Sequence, residues 1–404
     1  MKRHYDIIIV GAGLSGLTCA AKCAQSGLDY LLLEKSGRIG GRVGSIAKDG
    51  YIFDLGFQVY NSSYQQASRI SRISPRHLRP FKPGAAIFTN GKLHVLSDPF
   101  RDPEAVFTTL FFPYATWLDK IKILSLKRHL KDYDFFRDQS EEHSTLEFLQ
   151  NFGFSNQIIH SFFKPFFAGV FLEEELGTSD RFFKFVFSSL NKGLATLPEG
   201  GMQQIPSRLQ KQISNNRLHC NTEIEKIDSN HLLTLANGHQ LSFRKLVLTG
   251  ESSRFASDQP LSFNSVFTVY VSTHLSIPKP KYIHLYPDDD LLNHMAVVSA
   301  VSPSYSSHYD HLLSVTLLGN RGKQKGVNSE VIHRLSRFYG GTASDYEIKE
   351  SMFLEKATLL QKPGAFQPRK SKHPNILCAG DIQTHGSIEG AVLSGESAFD
   401  KLRN

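Results

Sequence analysis

The chain has 404 residues, 40% of them hydrophobic and 21% charged, and 46 Lys or Arg against 38 Asp or Glu leave a formal net charge of +8. Such a balance excludes a disordered or fibrous chain, and the length exceeds the usual limit of one core, so two domains are expected. Four cysteines exclude a disulfide framework, and no run reaches the roughly 20 apolar residues of a spanning helix. No apolar leader precedes the first strand, so a reducing, cytoplasmic setting is the expectation. No His or Cys cluster has ligand spacing, so no metal is expected.

The first element is an apolar strand, Asp6-Ile7-Ile8-Ile9-Val10, which runs into Gly11-Ala12-Gly13-Leu14-Ser15-Gly16. A helix from about Leu14 to Ser26 follows, where Cys19 and Cys23 fit as small packed hydrophobes. The second strand, Leu31-Leu32-Leu33, ends at Glu34. This is the pattern of a dinucleotide-binding βαβ unit. Gly11 permits the tight turn, Gly13 lets backbone approach a pyrophosphate, and Gly16 lets the helix pack closely on the sheet. The pyrophosphate is expected at the helix N-terminus, where free N–H groups and the dipole favour an anion. Glu34 is placed to accept from a ribose 2′-OH, and its charge disfavours a 2′-phosphate.

A second glycine cluster follows at once, with two arginines: Lys35-Ser36-Gly37-Arg38-Ile39-Gly40-Gly41-Arg42-Val43-Gly44-Ser45. Asp54-Leu55-Gly56-Phe57-Gln58 comes next. Near the other end stand Leu377-Cys378-Ala379-Gly380-Asp381 and then Gly386-Ser387-Ile388-Glu389-Gly390-Ala391, with Ser394-Gly395 one turn on. These four motifs, in this order, resemble the FAD-containing amine oxidase and phytoene desaturase superfamily, which also includes protoporphyrinogen oxidase-like members. The resemblance covers the cofactor-binding parts well and the remainder poorly.

That resemblance implies FAD and a fold with two parts. One is a Rossmann-like α/β FAD-binding domain, a mostly parallel sheet with helices built from discontinuous segments. The other is a mixed helical and antiparallel-sheet (α+β) substrate domain. The cofactor-binding residues implied are Gly11, Gly13, Leu14, Ser15, Gly16, Glu34, Lys35, Gly40, Gly41, Arg42, Gly56, Phe57, Gln58, Ile224, Gly380, Asp381, Ser387, Ile388, Glu389 and Ala391. Arg42 would touch the pyrophosphate and Asp381 a ribityl or phosphate-proximal hydroxyl. Backbone at Glu223–Ile224 would face the adenine. The turn over Ser387–Ala391 would aim a helix at the flavin pyrimidine, where its dipole stabilises reduced flavin.

Between these motifs the chain reads as follows. No acidic residue occurs from Leu55 to Ser97, a stretch that holds Arg69, Arg72, Arg76, Arg79 and Lys82. A second basic strip, Lys120, Lys122, Lys127, Arg128 and Lys131, shares a predicted helix with Trp117, Leu118, Ile121, Leu124 and Leu130. Either strip suits an anionic lipid surface or an acidic substrate, or else an ordinary solvated helix face. No nucleic-acid motif accompanies the charge, so nucleic acid is not an expected partner. Residues 80–195 read mainly helical, around 117–132, 145–167 and 179–191. They are rich in phenylalanine, including Phe162, Phe163, Phe166, Phe167, Phe171, Phe182, Phe183, Phe185 and Phe187. Those rings can wall a pocket for a long or flat apolar substrate or simply pack a core.

A helix from Leu197-Pro198-Glu199-Gly200-Gly201-Met202 to about Lys211 is expected next. A strand over 217–227 and a hairpin turning at Asn237-Gly238 follow. Lys245–Gly250 reads as a buried strand returning to the first sheet, and further strands are expected at 265–272, 282–286 and 312–318. The domain assignment is therefore 1–78, 196–255 and 356–404 for FAD, and 79–195 and 256–355 for substrate.

Three departures from the amine-oxidase pattern carry weight. Ser387 stands where that branch has an aromatic, no lysine occurs in Val266–Ser272, and 353–377 lacks the cysteine of covalent members. Non-covalent FAD and a desaturase- or oxidase-like hydride abstraction from an apolar small molecule, polyene- or porphyrinogen-like, follow as expectations. The alternatives are a flavin-dependent amine oxidase, a flavoprotein isomerase and a non-catalytic flavin scaffold. No catalytic side chain is assigned. His160 and His385 read as structural, and the electron acceptor is not identified.

Overall fold

The computed structural model describes residues 2–229, 231–371 and 373–403. Its first sheet grows from apolar strands buried on both faces, as parallel strands covered on two sides must be. His4–Val10 lies at the centre, with Tyr30–Leu33 parallel on one side and Gln240–Thr249 parallel on the other. Leu218–His219 extends the sheet past Tyr30–Leu33. Gln240–Thr249 is long enough to serve two neighbours. Its first half pairs antiparallel with Leu232–Leu235, and its second half pairs parallel with Ile376–Ala379. Strand alternation divides the core: Ile7 and Ile9 pack beneath Leu17, Val392 and Phe399, while Ile8 and Val10 face Leu233, Leu246 and Leu248.

The second sheet has seven strands, in the order Tyr346–Leu359, Phe263–Thr273, His311–Leu318, His294–Val297, Ile283–Leu285, Gly84–Thr89 and Lys92–Ser97. All neighbours are antiparallel except Ile283–Leu285 and Gly84–Thr89. One face carries the phenylalanine-rich helices, with Phe163, Phe167 and Phe183 fully buried against Tyr270, Leu285 and Leu312. On the other, Val331 and Leu335 of helix Val327–Tyr339 pack on Val269, Val271 and Val315. The α/β part and the mixed helical, mainly antiparallel part expected from sequence are both present.

The structure corrects the mainly helical reading of residues 80–195. Gly84–Thr89 and Lys92–Ser97 form a hairpin through Asn90 and Gly91, with φ of 49° and 71°. Two successive positive φ values give the primed turn that Asn-Gly favours, so this signal was present in the sequence. The stretch 145–167 is not one helix. Thr145–Asn151 stops at Gly153, and the chain resumes as Asn156–Ile158, a π-helical turn over Ile159–Phe163, and Lys164–Phe171. Strands His294–Val297 and Tyr346–Leu359 were not expected. Two expected segment boundaries, at 195/196 and 355/356, fall inside the strands Ala195–Pro198 and Tyr346–Leu359. Among the described residues, no helix is long and apolar enough to cross a membrane.

Asp54, in the short strand pair Ser45–Lys48 and Tyr51–Asp54, ties the segment that follows the two glycine clusters to the second sheet. Its carboxylate accepts from Ser45 Oγ at 2.6 Å, Tyr305 Oη at 2.6 Å and the Met202 N–H at 3.0 Å, while its carbonyl accepts from Tyr270 Oη at 2.9 Å. Burial pushes this carboxyl up to about 6, against the three hydrogen bonds, which act to lower it. The folded protein therefore holds this proton more tightly than the unfolded chain between about pH 4 and pH 6. Its contribution to stability is greatest below that window and is lost as pH rises through it. We expect Asp54→Asn to gain up to about 3 kcal/mol relative to its parent between pH 4 and pH 7. Paired urea titrations would show this, and a pH-independent difference would refute it.

Candidate cofactor and substrate site

The glycine loop sits at the carboxyl edge of the parallel strands, where open α/β sheets place their ligands. Gly11 has φ of 99°, and a Cβ there would collide with Thr249 Oγ1. At Gly16 a Cβ would collide with the Gly11 carbonyl oxygen, so only glycine lets this helix seat. Gly13 is different: a Cβ would meet no atom within 4 Å, because it would point into the cleft. Gly13 is also the N-cap of helix Leu14–Gln25, with no side-chain cap and no acidic residue in the first turn. The helix start thus offers unpaired N–H groups to an anion.

Glu34 is buried and braces the loop. One carboxylate oxygen accepts from the Ala12 N–H at 2.7 Å, and the other accepts from Ser36 N and Oγ at 2.9 and 2.8 Å. The second glycine cluster closes over the first, with Gly40 N donating to Ala12 O at 2.8 Å. Gly40 needs its φ of 102°, since a Cβ would run into the Val43 carbonyl.

The C-terminal motif arrives from the far end of the chain. Ser394 Oγ accepts from Gly380 N at 2.9 Å, and Ser15 Oγ donates to Ala391 O at 2.8 Å. A Cβ on Gly395 would collide with the Ser15 carbonyl, which explains the Ser-Gly pair one turn into helix Ile388–Arg403. Across the cleft, Arg42 Nη2 donates to both carboxylate oxygens of Asp381 at 2.6 Å. Gln58 Nε2 donates to the Arg42 and Leu55 carbonyls, both at 2.7 Å. Its Oε1 is buried without a partner, an acceptor available to a cofactor N–H or O–H.

One continuous cavity of about 730 Å³ results, within the range of small-molecule and cofactor sites. Every residue expected at the cofactor lines it except Gly16 and Glu389. Gly16 serves helix packing, as expected. The Glu389 carboxylate turns away and accepts from Gln66 N and Ala67 N at 2.9 and 2.8 Å, capping helix Gln65–Ser71. Among the described residues no cysteine lines the cavity.

The cavity continues past Gly56 and Phe57 into a second chamber, walled by Phe166, Val170, Phe182, Val186, Leu190 and Leu285. The phenylalanine segment thus serves both readings: Phe163, Phe167 and Phe183 are core, Phe166 is wall, and Phe182 is a core residue that also lines the cavity. His294 and Thr316 also line this chamber and were missed from sequence, because a lone polar residue in a short strand carries no motif. His160 and His385 do not line it. His160 Nε2 lies 3.0 Å from Asp288, and His385 is buried with Nδ1 3.0 Å from Ser387 Oγ.

A profile of the family described as flavin containing amine oxidoreductase matches residues 14–401. The chain belongs to that family. A flavin cofactor and oxidoreductase class stand on this match, and the donor set above fits FAD. The chain is 29% identical over 112 residues to a carotenoid 3,4-desaturase of Haloarcula japonica, 24% of this chain and 23% of the relative. Alignments to curated relatives thus span less than a quarter of their length. Two solved structures share the fold at 16% identity. A provisionally named protoporphyrinogen oxidase from Exiguobacterium sp. 255-15 has a TM-score of 0.73 over 100% of both chains. Cyclohexylamine oxidase from Brevibacterium oxydans IH-35A has a TM-score of 0.70 over 98% of each.

The two glycines make opposite predictions. Gly13→Val should fold with the parent's apo-protein melting temperature and bind FAD at least tenfold more weakly, a loss of about 1.4 kcal/mol or more. Gly16→Ala should fail to fold stably. Flavin absorbance per protein and differential scanning calorimetry check both; a yellow, stable Gly16→Ala protein would contradict the packing assignment.

Proposed function

We propose that the protein is an FAD-dependent oxidase or desaturase that removes a hydride from an apolar, conjugated or allylic C–H of a small molecule. The chemistry FAD supplies when bound is two-electron oxidation by hydride acceptance. The observation that carries the reading is the continuity of the cofactor cleft with the apolar chamber. Its walls orient a substrate against the cleft and exclude water, both of which lower the barrier without a side-chain base.

In the cleft, Gly11–Ser15 and Arg42 hold the dinucleotide's phosphates, Glu34 a ribose, and Ile224 backbone the adenine. Asp381 and the start of helix Ile388–Arg403 serve the ribityl and ring end. Binding of phosphates would give Arg42 a second anion to share with Asp381. The names of the relatives cover both desaturases and amine oxidases. Against an amine stand Ser387, the lysine-free strand Phe263–Thr273, and the apolar wall of Phe166, Val170, Phe182, Val186, Leu190 and Leu285, which offers an ammonium no counter-charge. Anaerobic mixing with conjugated polyenes or porphyrinogens should bleach the flavin. Product formed only after prior reduction would instead indicate the isomerase, and no response across the panel a scaffold.

We further propose that the segment Phe100–Phe136 contacts an anionic lipid surface. Among the described residues, nine of the eleven exposed large hydrophobics fall within it, including Phe107, Phe111, Trp117, Leu118, Ile121 and Leu124. Helix Trp117–His129 buries Asp119 and Leu126, while Trp117, Leu118, Ile121 and Leu124 face outward. A capping box of Thr116 and Asp119 fixes that orientation, since Asp119 also accepts from Ser155 N and Oγ at 2.8 and 2.7 Å. Lys120 lies over the Trp117 ring, and Arg128 and Lys131 are exposed beside the apolar side chains. This is the composition of an interfacial helix. The sequence contains one tryptophan, so its emission reports on this face alone. Vesicles containing anionic phosphatidylglycerol should shift it to the blue and float the protein, and Phe107→Ser/Phe111→Ser should weaken flotation at least tenfold. Unmoved emission would sink the proposal.

A further inference from the structure

The chamber is largely apolar, and two of its polar side chains stand together. His294 and Thr316 are directly opposed residues on adjacent antiparallel strands, so their side chains leave the sheet on the same face. Both are buried, at 4% and 1% exposure, and both line the chamber. His294 Nε2 and Thr316 Oγ1 have no hydrogen-bond partner. Buried polar atoms in native proteins are nearly always paired, and these two stand side by side in residues that line the chamber, so a ligand oxygen reaching that wall is the partner they lack.

The proton position on His294 follows from its neighbours. Asn293 Nδ2 donates to the Pro165 carbonyl oxygen at 3.1 Å and lies 2.8 Å from His294 Nδ1. The Pro165 contact requires the amide nitrogen on that side, so its second hydrogen points at Nδ1. Nδ1 therefore accepts, and the ring proton sits on Nε2 as a donor. Burial pushes the imidazole down to about 3, so the ring is neutral near pH 7. Gly169 seats it: a Cβ there would stand 2.7 Å from Nδ1. The Phe57 ring, 5.0 Å away centroid to centroid, offers only a weak π acceptor.

We propose that His294 Nε2–H and the Thr316 hydroxyl together bind a neutral oxygen of the substrate, so that the natural substrate is a largely apolar molecule bearing a carbonyl, ether or hydroxyl group. This rests on the reading of the chamber as the substrate site. It excludes a pure hydrocarbon, which would leave both polar atoms unpaired. It also excludes an ammonium, which would meet an N–H donor and no carboxylate. Directional donors on one wall further fix which end of a long substrate enters first, and so which C–H faces the cofactor cleft.

The test uses the FAD-loaded protein and three ligands with one skeleton: benzylideneacetone, the diene in which its carbonyl oxygen is replaced by CH2, and the corresponding primary amine. Perturbation of the bound-flavin spectrum gives each Kd. The ketone should bind at least tenfold more tightly than the diene, the value of one buried hydrogen bond. His294→Phe should abolish that preference while retaining diene binding and FAD content. If His294→Phe does not fold with FAD, Thr316→Val carries the test, and the preference should fall at least threefold. Equal ketone and diene affinities in the parent, a preference unchanged in the variants, or tighter binding of the amine each overturn the inference and leave the chamber reading standing. If none of the three ligands perturbs the flavin, the chamber reading itself fails.

Discussion

The close approach of the two chain ends is the constraint on which the rest of the structure depends. Helix Leu14–Gln25 and helix Ile388–Arg403 meet with backbone against backbone, because Gly395 has no side chain to hold Ser15 away. That contact carries Gly380, Asp381 and Ser387 to the glycine loop and completes the cleft. Gly11 and Gly16 let the first strand turn and its helix settle on the sheet, and Gly40 lets the second glycine cluster fold over the loop. Cofactor chemistry enters only after these collisions have been avoided.

A second coupling ties the cofactor part to the substrate part. Asp54 belongs to a short strand pair beside the cleft, yet its oxygens collect hydroxyls from Tyr270 and Tyr305 of the second part. A carboxylate buried this deeply is costly, and its retention keeps Gly56, Phe57 and Gln58 at the junction of cleft and chamber. The chamber wall is built from the outer row of the same phenylalanine helices whose inner row forms a core. The two rows of helices Lys164–Phe171 and Asp180–Lys192 separate packing from recognition.

Much of the cofactor site was legible because backbone demands select residue type directly. A position with φ near 100°, or one whose Cβ would strike a carbonyl, accepts little except glycine, so Gly11, Gly16 and Gly40 leave a mark that needs no tertiary knowledge. The strand Gln240–Thr249 was legible in part from its Asn237-Gly238 turn, whereas the equivalent Asn90-Gly91 signal lay in a segment dominated by helical periodicity. The side chain of Glu389 was misplaced for another reason. It sits inside a true motif, but its carboxylate is captured by the start of a helix more than 300 residues away in sequence.

Sequence alone determined the dinucleotide cleft, the family and the separation into two parts, since each rests on local backbone geometry or on apolar periodicity. Tertiary structure alone decided which phenylalanines are wall and which are core, and that the basic residues Arg69, Arg79 and Lys82 are answered by Glu396, Glu199 and Asp102. It alone decided that His294 and Thr316 share one face of one chamber. These are facts of strand register and long-range pairing, which a linear pattern of residue types does not encode.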